Sequence, residues 1–401
     1  MVAMSFDVAY VRGLFPSLGD GWIHFDPQAG MLIPNSVSTA VSTGFRQFAA
    51  PPNPLYPSGR ASADVTDRAR RAIADLVGGD PAGVVLGNSR FSLMSALTES
   101  LLASHKSVGD VVVSRTDDEE NIVPWLRLAK RSGWSPRWAE IDVETGELPA
   151  WQFEKLLTGP VSVVTVSMAS SVTGVITDLE PIVDGAVHAR ALLVVDATSA
   201  APFDTLDINE IGADVMVVSA QRWGGPPVAA MVFADPDRLN ALESVSLDPS
   251  ATGPARLEPE RVSGALLAGT VASVEYLANL DEEAKGKRRQ RLTTAIKGQS
   301  EYLDRLLTYL RSTLENLNQV HVIGESANRV PLLSFTVANV GADKVVRRLA
   351  DNGVRALTGI PSRAFDVMGV NDFGGAVTIG LGPYSTPVEV DHLVRTLASL
   401  G

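Results

Sequence analysis

The stretch VVSAQRWGGPPVAAMVF, residues 217–233, decides how this chain is read. A β-branched run closes in the small residues Ser219 and Ala220. Gln221, Arg222 and Trp223 follow, and a Gly-Gly-Pro-Pro turn leads into a second apolar run. Two such runs punctuated by Gly and Pro read as buried strands joined by an irregular connection. Arg222 sits just beyond the end of the first strand, and open α/β sheets place their ligands at strand ends.

Working outward, similar runs recur: VVLG at 84–87, VVVSR at 111–115, RWAEID at 137–142, SVVTVSMAS at 162–170, ALLVVDATSA at 191–200, DVMVVSA at 214–220 and AAMVF at 229–233. Amphipathic stretches of helical length, such as 91–104 and 121–132, lie between most of them. Nearly continuous Val/Leu/Ala strands alternating with helices predict an α/β domain with a mostly parallel seven-stranded sheet covered on both faces. After Glu258 the pattern changes. An apolar small-residue helix is expected over 263–280 and a long charged one over 281–312, with DEEAKGKRRQR as a solvated face. Short strands around 319–324, 330–337, 354–358 and 376–382, with helices over 342–352 and 388–400, predict a small α+β C-terminal domain. The expected division is a large domain over 20–260, with 1–19 and 261–401 forming the small domain and its connecting helix. The Pro-rich AAPPNPLYPSG at 49–59 reads as an irregular loop.

Composition narrows the function. A net charge of −12 argues against general affinity for nucleic acid or anionic lipid. Zero cysteines exclude disulfides, thiolate metal sites and cysteine nucleophiles together. Five scattered histidines, His24, His105, His188, His321 and His392, show no metal-ligand spacing. The start of the chain lacks a signal-peptide pattern, and no run approaches a membrane span, so a cytoplasmic protein with no membrane partner is expected.

Six motifs, in order, carry a resemblance: GDGWIHFDPQAGMLIPNSV (19–37), DDEENIVPW (117–125), SMASSVTGVITDL (167–179), VVDATSAAP (194–202), SAQRWGGPP (219–227) and GPYSTPVEVDHLVRTL (382–397). Together they resemble the class V aminotransferase and cysteine desulfurase family of fold-type I pyridoxal phosphate enzymes, over nearly the whole length. The resemblance implies a homodimer with sites at the subunit interface, and pyridoxal phosphate as cofactor. Asp196 matches the aspartate that pairs with the cofactor's ring nitrogen, and Ser219, Ala220 and Gln221 match the triplet before the lysine that tethers its aldehyde.

Other positions depart from the pattern. Glu119 falls where a stacking histidine is expected, Ser171 where an asparagine is, and Ser199 where a glutamine is. Arg90 and Phe91 occupy the phosphate-binding turn of NSRFSLMSA, at a helix N-terminus suited to anions. A further phosphate threonine falls near Arg261, so Arg90 and Arg261 are candidates to rebuild an anion site. The arginine that receives a substrate carboxylate aligns with Leu357, with Arg355 close by. The desulfurase loop's cysteine is missing, which excludes the persulfide route.

The decisive departure is Arg222 in the lysine position. Lysine forms an aldimine because its amine can lose a proton and attack a carbonyl. Arginine stays protonated and is a poor nucleophile, so Arg222 supports neither that bond nor the usual base role, and no residue is assigned as catalytic. The other lysines, Lys106, Lys130, Lys155, Lys285, Lys287, Lys297 and Lys344, fall in helical or loop stretches away from the strand ends. The expectation is a catalytically degenerate family member binding a small anionic or amino-acid-like ligand or a protein partner, with noncovalent pyridoxal phosphate binding left open. The alternatives are a pyridoxal phosphate-dependent aminotransferase or lyase acting on an amino acid with atypical cofactor binding, and an enzyme of another class using Asp117, Asp118, Glu119 and Glu120 as acid or base.

Overall fold

The computed structural model describes residues 6–48, 50–104 and 109–400. Its centre is a seven-stranded sheet: β1 (Val84–Gly87), β2 (Asp110–Ser114), β3 (Pro136–Ala139), β4 (Val161–Ser167), β5 (Leu192–Asp196), β6 (Val215–Ser219) and β7 (Ala229–Phe233), in the order β1-β7-β6-β5-β4-β2-β3. Each expected run supplies one strand. The pairings among β6, β5, β4, β2 and β3 are parallel, and only β7 runs against its neighbours β6 and β1. Buried on both faces, these strands alternate their valines between two cores. Val112, Val164, Val195 and Val218 face one, and Val111, Val163, Val194 and Val217 the other.

Helices α1 (Asn35–Gln47), α2 (Pro57–Val77), α3 (Arg90–Ser104) and α4 (Glu119–Ser132) precede or flank the sheet, and α5 (Gly264–Ala278) packs against α1 and α2. Leu267, Val274 and Leu277 of α5 enter the same core as the sheet. The long helix α6 (Arg288–Glu315) then leads to an antiparallel sheet of β8 (Val320–Val322), β9 (Leu332–Val337), β10 (Leu357–Thr358) and β11 (Val377–Gly380), in the order β10-β11-β9-β8. Helices α7 (Ala342–Ala350) and α8 (Pro387–Ala398) cover it around a second core of Leu303, Leu310, Phe335, Val345, Ile379 and Leu393. The expected helix over 281–312 starts later, at Arg288. Gly286 takes φ +102°, which a helix interior does not accommodate, and Lys287 becomes the N-cap.

No helix among the described residues is long and apolar enough to cross a membrane. Lys106, His105 and Ala49 of the Pro-rich loop lie outside the described residues, as do 1–5 of the N-terminal stretch.

Candidate functional site

Asp196 is the last residue of β5 and is buried. Its Oδ1 accepts the backbone N–H of Thr198 at 2.9 Å, and its Oδ2 lies 2.5 Å from Arg90 Nη1. Arg90 opens α3 and is only 8% exposed. Its Nη2 reaches Asp118 Oδ2 at 3.0 Å and Glu120 Oε2 at 2.8 Å. One planar guanidinium therefore holds three carboxylates. Burial would lower its pKa, but the charges of Asp196, Asp118 and Glu120 outweigh that and raise it.

Asp118 is the extended N-cap residue of α4, and Ser171 Oγ donates to its Oδ1. Burial pushes its pKa up. The charges of Arg90 and Arg222 and the Ser171 hydrogen bond prevail and hold it below the usual carboxylate value. Its neighbour Asp117 is turned inward and is 4% exposed, with Oδ1 accepting the Ser167 N–H and Oδ2 without a partner. Burial, with Asp196 adding to it against the Ser167 hydrogen bond, lifts the Asp117 carboxyl to about 7.

Arg222 lies in a tight 3-10 turn, Ala220–Trp223, that follows β6 directly. The turn is pinned on every side. Trp223, wholly buried, donates Nε1–H to Ser273 Oγ at 3.0 Å, Met31 N–H donates to Gln221 O at 2.9 Å, and Ala220 N–H to Val228 O at 2.9 Å. Gly224 must be glycine, since its φ is +85° and a Cβ would meet Leu32 O at 2.9 Å. The Arg222 side chain is half-buried and makes no hydrogen bond or ion pair with any described residue. Burial and then the repulsion of Arg90 lower its pKa, while Asp118, Asp196 and Glu120 pull the other way. With Ser199, Gln28, Met31, Phe203 and Leu332 it borders a small cleft.

The remaining expected site residues divide. Ser171 and Ser199 are in this cluster, and Ser219 adjoins it at the end of β6. Gln221 is exposed and contributes its backbone carbonyl. Glu119, expected over the pocket, points away instead: it is exposed and paired with Arg363, Oε1 to Nε at 2.8 Å. Phe91 also turns away from the pocket, its ring 5.4 Å from the Arg127 guanidinium on α4. Arg261 is exposed and lines a separate cavity of about 450 Å³ with Phe48, Ser62, Thr66 and Glu258, so it does not join Arg90 within this chain. Arg90 is taken up by carboxylates and offers no free face to a phosphate. Leu357 pairs with Thr378 across the small sheet, and Arg355 is tied to Asp26 at 2.9 Å.

Among the described residues no His/Asp/Glu cluster is suited to a metal, and the lysines Lys130, Lys155, Lys285, Lys287, Lys297 and Lys344 are all exposed. Sequence reasoning missed the roles of Asp118 and Asp117. The only signal was their place directly before the helix start, where one residue of register decides which carboxylate faces inward.

Comparison with known proteins follows the same lines. A family model described as aminotransferase class-V matches residues 23–393. An uncharacterized protein of Mycobacterium tuberculosis (strain CDC 1551 / Oshkosh) is 54% identical over 99% of this chain and 100% of its own length. The aminotransferase-like protein FGM3 of Gibberella zeae is 25% identical over 99% of each. Among solved structures, the apo cysteine desulfurase from Thermococcus onnurineus NA1 superposes with a TM-score of 0.85 at 21% identity, over 98% of this chain and 97% of that one. The cysteine desulfurase CsdA from Escherichia coli gives 0.81 at 21% identity, over 97% of each. At that identity the two structures show the fold alone. The family model spans most of the chain, and the chain belongs to the aminotransferase class-V family.

Proposed function

We propose that this protein is a pseudoenzyme of its family, without Schiff-base chemistry, whose pocket binds a small anion noncovalently through Arg222. Membership of a family of pyridoxal phosphate-dependent enzymes suggests that cofactor. The residues present do not fit it in this reading. Both oxygens of Asp196 are already engaged, by Thr198 and Arg90, so none is free for a ring nitrogen. No described lysine lies at the site. The alternative, a pyridoxal phosphate-dependent aminotransferase or lyase acting on an amino acid with atypical cofactor binding, draws on family membership and on Asp196 at the strand end.

One observation carries the reading: Arg222 is a half-buried guanidinium with no hydrogen-bond or ion-pair contact to a described residue, while its neighbour Arg90 holds every nearby carboxylate that makes a close contact. A cation taken partly out of water is stabilised by a complementary anion, and a guanidinium fork matches phosphate or carboxylate with two hydrogen bonds. The protein is read as a cytoplasmic homodimer with no nucleic-acid or membrane partner. Calorimetric titration with inorganic phosphate and with malonate tests the assignment. Binding to the parent is expected to weaken roughly 10- to 100-fold in Arg222→Gln, the worth of a charged hydrogen-bond pair. Equal affinities in parent and variant, or no binding to either, would contradict it.

A further inference from the structure

We propose that Arg90 is a built-in occupant: its guanidinium fills, from within the chain, a receptor for a planar N–H cation formed by Asp196 and Asp118. The receptor is defined by its acceptors. Asp196 stands buried at the end of β5 with one oxygen committed to the Thr198 N–H and the other facing the site. Asp118 is steadied by Ser171 on one oxygen and presents the other to the same space. Two fixed carboxylate oxygens converging in this way select a flat donor carrying positive charge, such as a guanidinium, an amidinium or a protonated heteroaromatic nitrogen.

In this chain the donor is covalent. Arg90 comes from the first turn of α3, which follows β1 and packs against β7, β1, β6 and α4, and its two terminal nitrogens separate the acceptors between them: Nη1 to Asp196 at 2.5 Å, Nη2 to Asp118 at 3.0 Å. Glu120, half exposed, closes over the outer side at 2.8 Å. A ligand whose ring nitrogen needed Asp196 would have to displace a buried, triply paired arginine. The consequence is a site whose cationic donor is supplied by the chain itself, so the carboxylates are held in place without any cationic ligand. This inference concerns Asp196 and Asp118 and does not depend on an anion at Arg222, so the two readings stand or fall on different measurements.

Arg90→Ala empties the receptor, and thermal melting reads the result. At about pH 7.5 the variant is expected to melt roughly 4–6 °C below the parent, because the buried Asp196 and the partly buried Asp118 lose their counter-charge. The deficit shrinks as the pH falls, because protonation relieves carboxylates left without their cation, and roughly 10 mM methylguanidinium chloride raises the melting temperature of the variant but not of the parent, against the same concentration of sodium chloride. A variant as stable as the parent, or a deficit indifferent to both pH and methylguanidinium, overturns the proposal. If Arg90→Ala does not fold, Arg90→Gln combined with Asp118→Asn and Asp196→Asn removes the carboxylate charges along with the cation. That protein is expected to fold and to ignore methylguanidinium, and its failure to fold would place the role of Arg90 in packing and overturn the proposal.

Discussion

Asp117→Asn is expected to stabilise the protein at neutral and alkaline pH and to leave it unchanged in acid. The Asp117 carboxyl is raised from an ordinary 3.8 to about 7 by burial, with Asp196 adding to it. Below pH ~4 the group is protonated in both folded and unfolded chains, and its contribution to stability is fully present. Between ~4 and ~7 the unfolded chain releases the proton and the folded one keeps it, so stability falls by up to about 1.4 kcal/mol per pH unit. Above the folded value the deficit levels off at about 4 kcal/mol. Asparagine keeps the acceptor for the Ser167 N–H and has no charge to bury. Urea unfolding of parent and variant across pH 5 to 8 should show a difference that grows with pH and then flattens. A difference independent of pH would mean that Asp117 does not titrate in this range.

The second large effect lies where the small sheet meets the large domain. Arg329, 5% exposed, donates to Ser326 O at 2.7 Å, Thr173 O at 2.8 Å and Ile323 O at 3.2 Å, and also to Gly324 O. Backbone bonds from Ile176 N–H to Asn328 O and from Val330 N–H to Gly174 O flank it. The side chain thus joins the 323–326 loop to the turn after β4. Burial and then Arg311 lower its pKa to about 10, which leaves it charged at neutral pH. Arg329→Met keeps an unbranched apolar stem and removes every donor, leaving buried carbonyls unpaired. The expected loss is about 3–5 kcal/mol in urea unfolding at pH 7, and a loss within about 1 kcal/mol would contradict the account.

Both predictions rest on residues whose importance the sequence hides, whereas the fold was largely open to reading. Five valine-rich runs became β1, β2, β4, β5 and β6 because a sheet covered on both faces tolerates little else, and RWAEID and AAMVF supplied β3 and β7. Asp196 and Arg222 were legible as strand-end residues, since the end of a buried strand fixes where the next side chain emerges. Arg90 was legible as a site residue but not as a partner of acids. A long arginine side chain can reach outward to an anion or inward to a carboxylate, and that choice depends on what the neighbouring strand presents. The same difficulty separates Glu119 from Asp118. Four consecutive acids look alike, but α4 begins at Glu119, so Asp118 stays extended and turns inward while Glu119 swings out to Arg363. The Asp281–Gly286 stretch failed differently. Its charge pattern suits a helix, and a single left-handed glycine overrules it.

The central claim, that this pocket does not form a Schiff base, is tested most directly by borohydride reduction of the protein after incubation with stoichiometric pyridoxal phosphate, read by intact mass and peptide mapping. Exposed lysines react at most sparsely and without preference under those conditions, so the account predicts an essentially unmodified mass with no single mapped site. A near-quantitative adduct of one pyridoxal phosphate on a single lysine would contradict it.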